Sequence, residues 1–199
     1  MEIYLIRHGE SRGSSMEYYD DEKQRMNPPL TEQGMRQAEQ LAARCASIGF
    51  DRIVASDLLR AEQTAKKIAS VVPCAFSIDP AFREIHMGDL ETKPWSDYPD
   101  WRARWVLHDE DMPYPNGESG GDVWNRCKTQ LSQLVALPKQ KIAIVCHGGT
   151  IRSIVCGVLG IAQQKRFCFG APLEHCSITV IRYDAMAQAY CLHSFNTIS

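Results

Sequence analysis

The stretch MEIYLIRHGES at residues 1–11 decides how the rest of the chain reads. Its apolar run, residues 3–6, delivers Arg7, His8 and Gly9 to the point where a strand should end. Ligands of open α/β sheets bind at the carboxyl ends of strands. A histidine there, between a permanent cation and a glycine that lets backbone come close, suits attack on an anion. Far downstream, KIAIVC at residues 141–146 gives the strongest strand signal, β-branched and apolar, and it runs into His147, Gly148 and Gly149. Each histidine thus follows a strand and precedes small residues opening toward a helix, so that backbone N–H groups can point at an anion.

Between these two strands the signals alternate. Thr31 caps a helix with Met35, Ala38, Leu41, Ala42 and Cys45 at helical spacing, closed by Gly49. RIVAS at 52–56 is a short buried strand, and residues 57–72 form a helix with Leu58, Ala61, Ala65, Ile68 and Val72 on one face, stopped by Pro73. A short strand at 75–78 comes next. The capping-box spacing of Ser119 and Asp122 opens a helix carrying Val123, Cys127, Leu131 and Leu134, ended by Pro138. A helix at about 150–159 and strands at 177–183 and 190–193 finish the chain. Near-continuous apolar strands alternating with helices predict a mostly parallel sheet covered on both faces, a three-layer α/β/α sandwich in one domain spanning 1–199.

Composition narrows the function. At 44% hydrophobic and 23% charged residues, with net charge -2, the chain is an ordinary globular protein and lacks the basic footprint of a nucleic-acid binder. No apolar run reaches membrane-spanning length and no signal-peptide profile opens the chain, so the cytoplasm is the expected compartment. The eight cysteines are scattered singly without a C-x-x-C, which reads as buried reduced thiols and not as a metal site.

Four features converge on one sheet edge: Arg7-His8-Gly9; Arg60, in the first turn of the helix after RIVAS; Glu84, in the loop FREIHMGDLE after the third strand; and His147. Two arginines and two histidines focused on one spot make a site for a dianionic phosphoryl group. A carboxyl group beside it can hand a proton to a leaving alcohol. The sequence has no aspartate cluster, Mg²⁺ motif or G-x-x-x-x-G-K-[ST] loop, so the implied chemistry is metal-free phosphoryl transfer through a phosphohistidine, with no cofactor.

LIRHGES, SDLLRAEQTA, the Glu of FREIHMGDLE, PNGES and VCHGGTIR resemble, in that order, the signatures of the histidine phosphatase superfamily, in its phosphoglycerate-mutase-like branch. The resemblance runs from Glu2 to about Tyr183. It implies that His8 is the nucleophile, that Arg7, Arg60 and His147 clamp the phosphate, and that Glu84 is the proton donor. It implies substrate contacts from Gly9, Ser11, Ser14 and Gly148, although many relatives carry Asn at position 14. It also implies a phosphatase acting on a small phosphorylated molecule, because the glycolytic mutases are longer and carry basic segments absent here. HGGTIR is similar to the alpha-ribazole phosphatase group. A mutase, or a non-catalytic protein that binds a phosphorylated ligand, are the alternatives.

Other positions read as follows. Asn27 stands where relatives often have an acidic residue, and Thr92 where a Gly is common. Glu10 reads as a helix-start or salt-bridge residue, and Glu118 as a loop residue before the helix capped by Ser119 or as one that lines the site. Arg152 fits a solvated position as well as a phosphate contact. His86, His108, His175 and His193 have no motif around them and default to surface or satisfied core. The insertion at about 86–118 holds PWSDYPDWRARWVL, in which Trp101 and Trp105 share a helical face. That face packs on the core, or forms a lid with Lys93, Arg102 and Arg104 serving a second anionic group of the substrate.

Overall fold

The computed structural model describes residues 1–12, 27–138 and 141–198; Ser14 lies outside them. Four strands, β1 (Glu2–Arg7), β2 (Arg52–Ala55), β3 (Ala75–Ile78) and β4 (Lys141–Cys146), run parallel. Beyond β1, β5 (Ile178–Asp184) and β6 (Ala189–Thr197) add antiparallel, giving the order β3-β2-β4-β1-β5-β6. The sheet is therefore mostly parallel, with an antiparallel hairpin at one edge. Its final strand is longer than the apolar pattern of 190–193 suggested, because β6 alternates exposed and half-buried positions.

Alternation along the strands builds two cores. Ile142, Ile144 and Cys146 of β4 join Ile3 and Leu5 on one face, while Ala143 and Val145 join Ile6 and Ile53 on the other. The second face is covered by α1 (Glu32–Ala46) and α2 (Leu59–Ala69), through Leu41, Cys45, Ala61, Ala65 and Ile68. After the short α3 (Pro99–Trp105), α4 (Gly120–Val135) and α5 (Gly148–Leu159) cover the first face through Val123, Cys127, Leu131, Ile151 and Ile154. Each fully buried Ile or Leu contributes about 1.5–3 kcal/mol relative to exposure. The result is an α/β/α sandwich.

The helix starts follow the sequence. Thr31 accepts a hydrogen bond from Gly34 N–H, and Ser119 and Asp122 form a reciprocal capping box. Glu10 is a helix-start residue: its carboxylate accepts a 2.7 Å hydrogen bond from the Thr31 hydroxyl. Two boundaries move. α2 begins at Leu59, which leaves Leu58 outside the core and lining a cavity. α5 begins at Gly148, two residues early, because both glycines fit the helix's first turn.

Trp101 and Trp105 share a face of α3, their rings stacked at 5.7 Å, and Trp95 meets both at 5.6 and 5.5 Å. This cluster packs against the core. Of the eight cysteines, none is in a disulfide; five are buried, while Cys168 and Cys191 are exposed against expectation. No helix among the described residues is long and apolar enough to cross a membrane.

Candidate active site

The β1–β4 register aligns Arg7 with Cys146, so the residues that follow, His8 and His147, stand side by side with ring centroids 5.0 Å apart. Both are buried. His8 Nδ1 lies 2.7 Å from the Gly9 carbonyl and Nε2 lies 3.2 Å from Arg60 Nε. A guanidinium can only donate, so Nε2 is the acceptor and the ring proton sits on Nδ1. Burial, reinforced by the Arg60 charge, pushes the His8 pKa well below the ordinary histidine value, and burial with the neighbouring His8 does the same for His147. Both rings are neutral near pH 7.

Arg60 reaches this spot from the first turn of α2. Leu58, the residue capping that helix, supplies no side-chain hydrogen bond. Asn27 does so instead, its Oδ1 accepting from Leu59 N–H at 2.8 Å. The departure at position 27 thus keeps an acceptor that steadies the helix carrying Arg60. Arg7 is held by its hydrogen bond to the Leu173 carbonyl. His147 Nε2 lies 2.9 Å from Ser56 Oγ, which itself accepts from Leu58 N–H. His147 Nδ1 is buried with no hydrogen-bond partner among the described residues.

Two expectations about the glycines change. Gly9 was expected to let backbone approach a ligand, but its N–H donates to Thr64 Oγ1, and a Cβ there would lie 2.6 Å from the Gly34 carbonyl oxygen. Its lack of a side chain serves the crossing of the β1–α1 loop over α1. At the start of α5 the amides do point at an acceptor, but the acceptor is the Glu84 carboxyl group. Gly149 N–H donates to one carboxylate oxygen at 3.1 Å and Thr150 N–H to the other at 3.0 Å. A Cβ on Gly149 would lie 2.6 Å from Glu84 Oε1. Gly148 packs against Arg7.

His8 opens onto a cavity of about 1050 Å³. Ser11, Arg7, Arg60 and Glu84 border it, so the expected residues within the described chain gather around one space, apart from Gly9, Gly148 and His147, which do not line it. Further residues border it without having been singled out for the site, among them His175, Arg83 and Arg126. His175 places its ring 5.9 Å from that of His8. Arg83 and Arg126 belong to carboxylate pairs: Arg83 forks onto Asp57 at 2.6 Å through two nitrogens, and Arg126 onto Glu118 at 2.8 and 3.0 Å. Glu118 and the exposed His86 also border the cavity.

His175 was legible only through topology. It sits in the turn before β5, where Cys176 N–H bonds to the Arg7 carbonyl, and β5 runs antiparallel to β1, so the start of β5 meets the end of β1. Lys93, Arg102 and Arg104 do not border the cavity. Lys93 bonds to Asp89 and Tyr98, and Arg104 pairs with Glu110. Arg152 is neither solvated nor near the cavity; it is buried and donates to the carbonyls of Arg166, Phe169 and Ala171.

Residues 3–195 match the family model of the Histidine phosphatase superfamily (branch 1), and the chain belongs to that superfamily. Among its relatives, the protein named "Probable phosphoglycerate mutase GpmB" of Enterobacter sp. (strain 638) is 33% identical over 191 residues, covering 92% of this chain and 86% of the relative. The protein of the same name from Proteus mirabilis is also 33% identical, with the same coverage. Of solved structures, mycobacterial glucosyl-3-phosphoglycerate phosphatase in complex with inorganic phosphate superposes with a TM-score of 0.82 at 24% identity, covering 98% of this chain and 97% of that one. Alpha-ribazole phosphatase from Shigella flexneri gives 0.79 at 23% identity, covering 100% and 98%. At these identities the structures establish the shared fold.

Proposed function

We propose that the protein is a metal-independent phosphatase of the cytoplasm that hydrolyses a small-molecule phosphomonoester through a phosphohistidine on His8. The observation that carries this reading is the state of His8: a neutral ring with its proton anchored on the Gly9 carbonyl and its Nε2 lone pair turned toward the cavity-lining Arg60. In the first step Nε2 attacks phosphorus in line. The P–N bond forms, the P–O bond to the alcohol breaks, and the leaving oxygen takes a proton from the Glu84 carboxyl group. Arg60 turns its donors from Nε2 to the phosphoryl oxygens, joined by Arg7. Ser56 donates to His147 Nε2, which leaves the His147 proton on Nδ1 to donate to a third oxygen. In the second step Glu84 takes a proton from water, the hydroxide attacks phosphorus, the P–N bond breaks, and His8 is restored. Preorganised donors of this kind contribute about 10²–10³ in rate each. Ser11, and Ser14 from outside the described residues, are further proposed contacts.

The names of the 31–33% identical relatives favour a second reading, a phosphoglycerate-type mutase. A mutase must keep water from the phosphoenzyme and return the phosphoryl group to a phosphorylated acid. The short insertion at 86–118, whose basic residues Lys93, Arg102 and Arg104 stay outside the cavity, supports hydrolysis instead. The test is phosphate release from a panel of phosphoesters in EDTA, with His8→Ala as control. Release that survives EDTA and disappears in the variant is expected; no release from any ester contradicts the phosphatase.

A further inference from the structure

We propose that the leaving group of the substrate is an uncharged alcohol with an apolar face, and that the cavity selects against a second anionic group. This rests on the phosphatase reading and deepens it. The cavity of about 1050 Å³ is several times what a phosphoryl group needs, so most of its volume is available to the rest of the substrate. Around His8, Arg7 and Arg60 supply positive charge, neither in an ion pair with a carboxylate among the described residues, and this is where the phosphoryl dianion belongs.

Further out, two of the three described arginines are offset by carboxylates. Arg83 is forked onto Asp57 at 2.6 Å. Arg126 is forked onto Glu118, and its remaining donors go to the carbonyls of Ala81, Arg83 and Glu84. The three guanidinium nitrogens of Arg126 are thus all engaged, while Arg83 keeps its Nη1 donors but has its charge offset by Asp57. Arg12, at the rim, is exposed, and its charge is screened by solvent. Glu91 adds a negative charge to the same wall, with the exposed His86 imidazole 3.7 Å away. Between these groups the wall is apolar: Pro28, Leu58, Pro80, Ile85 and Met87. Among the described residues, a carboxylate or second phosphate brought here would meet only cations offset by Asp57 and Glu118 or exposed at the rim, and it would shed water beside Glu91 and Glu118 for little gain. An alcohol with apolar surface gains by burying it.

The test uses pairs matched in size and leaving-group reactivity: glycerol 3-phosphate against 3-phosphoglycerate, and benzyl phosphate against its para-carboxylated analogue. The expected result is a kcat/KM for the uncharged member of each pair at least about tenfold higher. In Asp57→Asn, which leaves the Arg83 charge uncancelled, that ratio should shrink. Equal or better turnover of the carboxylated members overturns the proposal. Calorimetric binding of both pairs to His8→Ala separates this inference from the reading beneath it. Selective binding of the uncharged esters without wild-type turnover would remove the phosphatase and keep the pocket's selectivity. Unselective binding would remove the selectivity whatever the turnover.

Discussion

At His8, two neighbours set which nitrogen keeps the proton, and the same burial gives the fold a pH dependence. The pKa values of His8 and His147 are lowered in the folded chain from an ordinary value of 6.5. Their contribution to stability is present above that value. It is lost as pH falls below it, because the unfolded chain takes up protons that the folded rings refuse. Each histidine should add a slope of about 1.4 kcal/mol per pH unit in that window. Denaturant unfolding between about pH 7 and 5 measures it, and a flat profile there contradicts buried neutral histidines. Glu84 makes a separate prediction. In Gly149→Ala the new Cβ meets the far end of the Glu84 side chain and not backbone, so the carboxyl group should give way. Activity should fall about 10²-fold or more, while Tm stays level or rises, since Ala suits a helix better than Gly by up to about 1 kcal/mol. A loss of stability with activity intact would show that the Glu84 cradle is unimportant.

Among the elements, α2 matters most to the site because it carries Arg60 on a start that it does not cap itself. Asn27→Ala removes the acceptor for Leu59 N–H and should cost about 1 kcal/mol, with a rise in KM for phosphoesters as Arg60 loses its footing. Unfolding curves and steady-state kinetics read both, and an unchanged KM would separate Asn27 from the site. The strands and α1 were legible because their residues obey one period each: Leu41 and Cys45 pack where helical spacing puts them, and Ile142 and Ile144 where alternation does. The first turn of α2 was not. Its cap comes from a residue 32 positions away, and a propensity reading sees only neighbours. Arg152 was open for a related reason, since the three carbonyls it serves lie in a loop 14–19 residues further on.

Across the whole molecule, the site is assembled where strands of different origin end together. His8 and His147 follow adjacent parallel strands, Arg60 and Glu84 follow β2 and β3, and His175 precedes the antiparallel β5. The first four announce themselves by a strand followed by a distinctive residue. His175 and Arg126 depend on which strand lies beside which and on what α4 faces, information that no local pattern holds. The 86–118 segment is tied to this frame by Asp111, which accepts from Gly120 N–H at 3.0 Å and Gly121 N–H at 2.7 Å and pairs with the buried Arg166 at 2.7 Å. Asp111→Ala strands that arginine and should cost about 3–5 kcal/mol, read as a lowered urea midpoint; a change within about 0.5 kcal/mol would deny Asp111 this role. The central claim, covalent transfer to His8, is tested most directly by rapid quench of the wild-type protein with a turned-over phosphoester, followed by mass spectrometry of its peptides at alkaline pH. The account predicts one phosphoryl group on His8, lost on acid treatment and absent from His8→Ala. A phosphoryl group on another residue, or phosphate release at full rate with no labelled protein at any quench time, would contradict it.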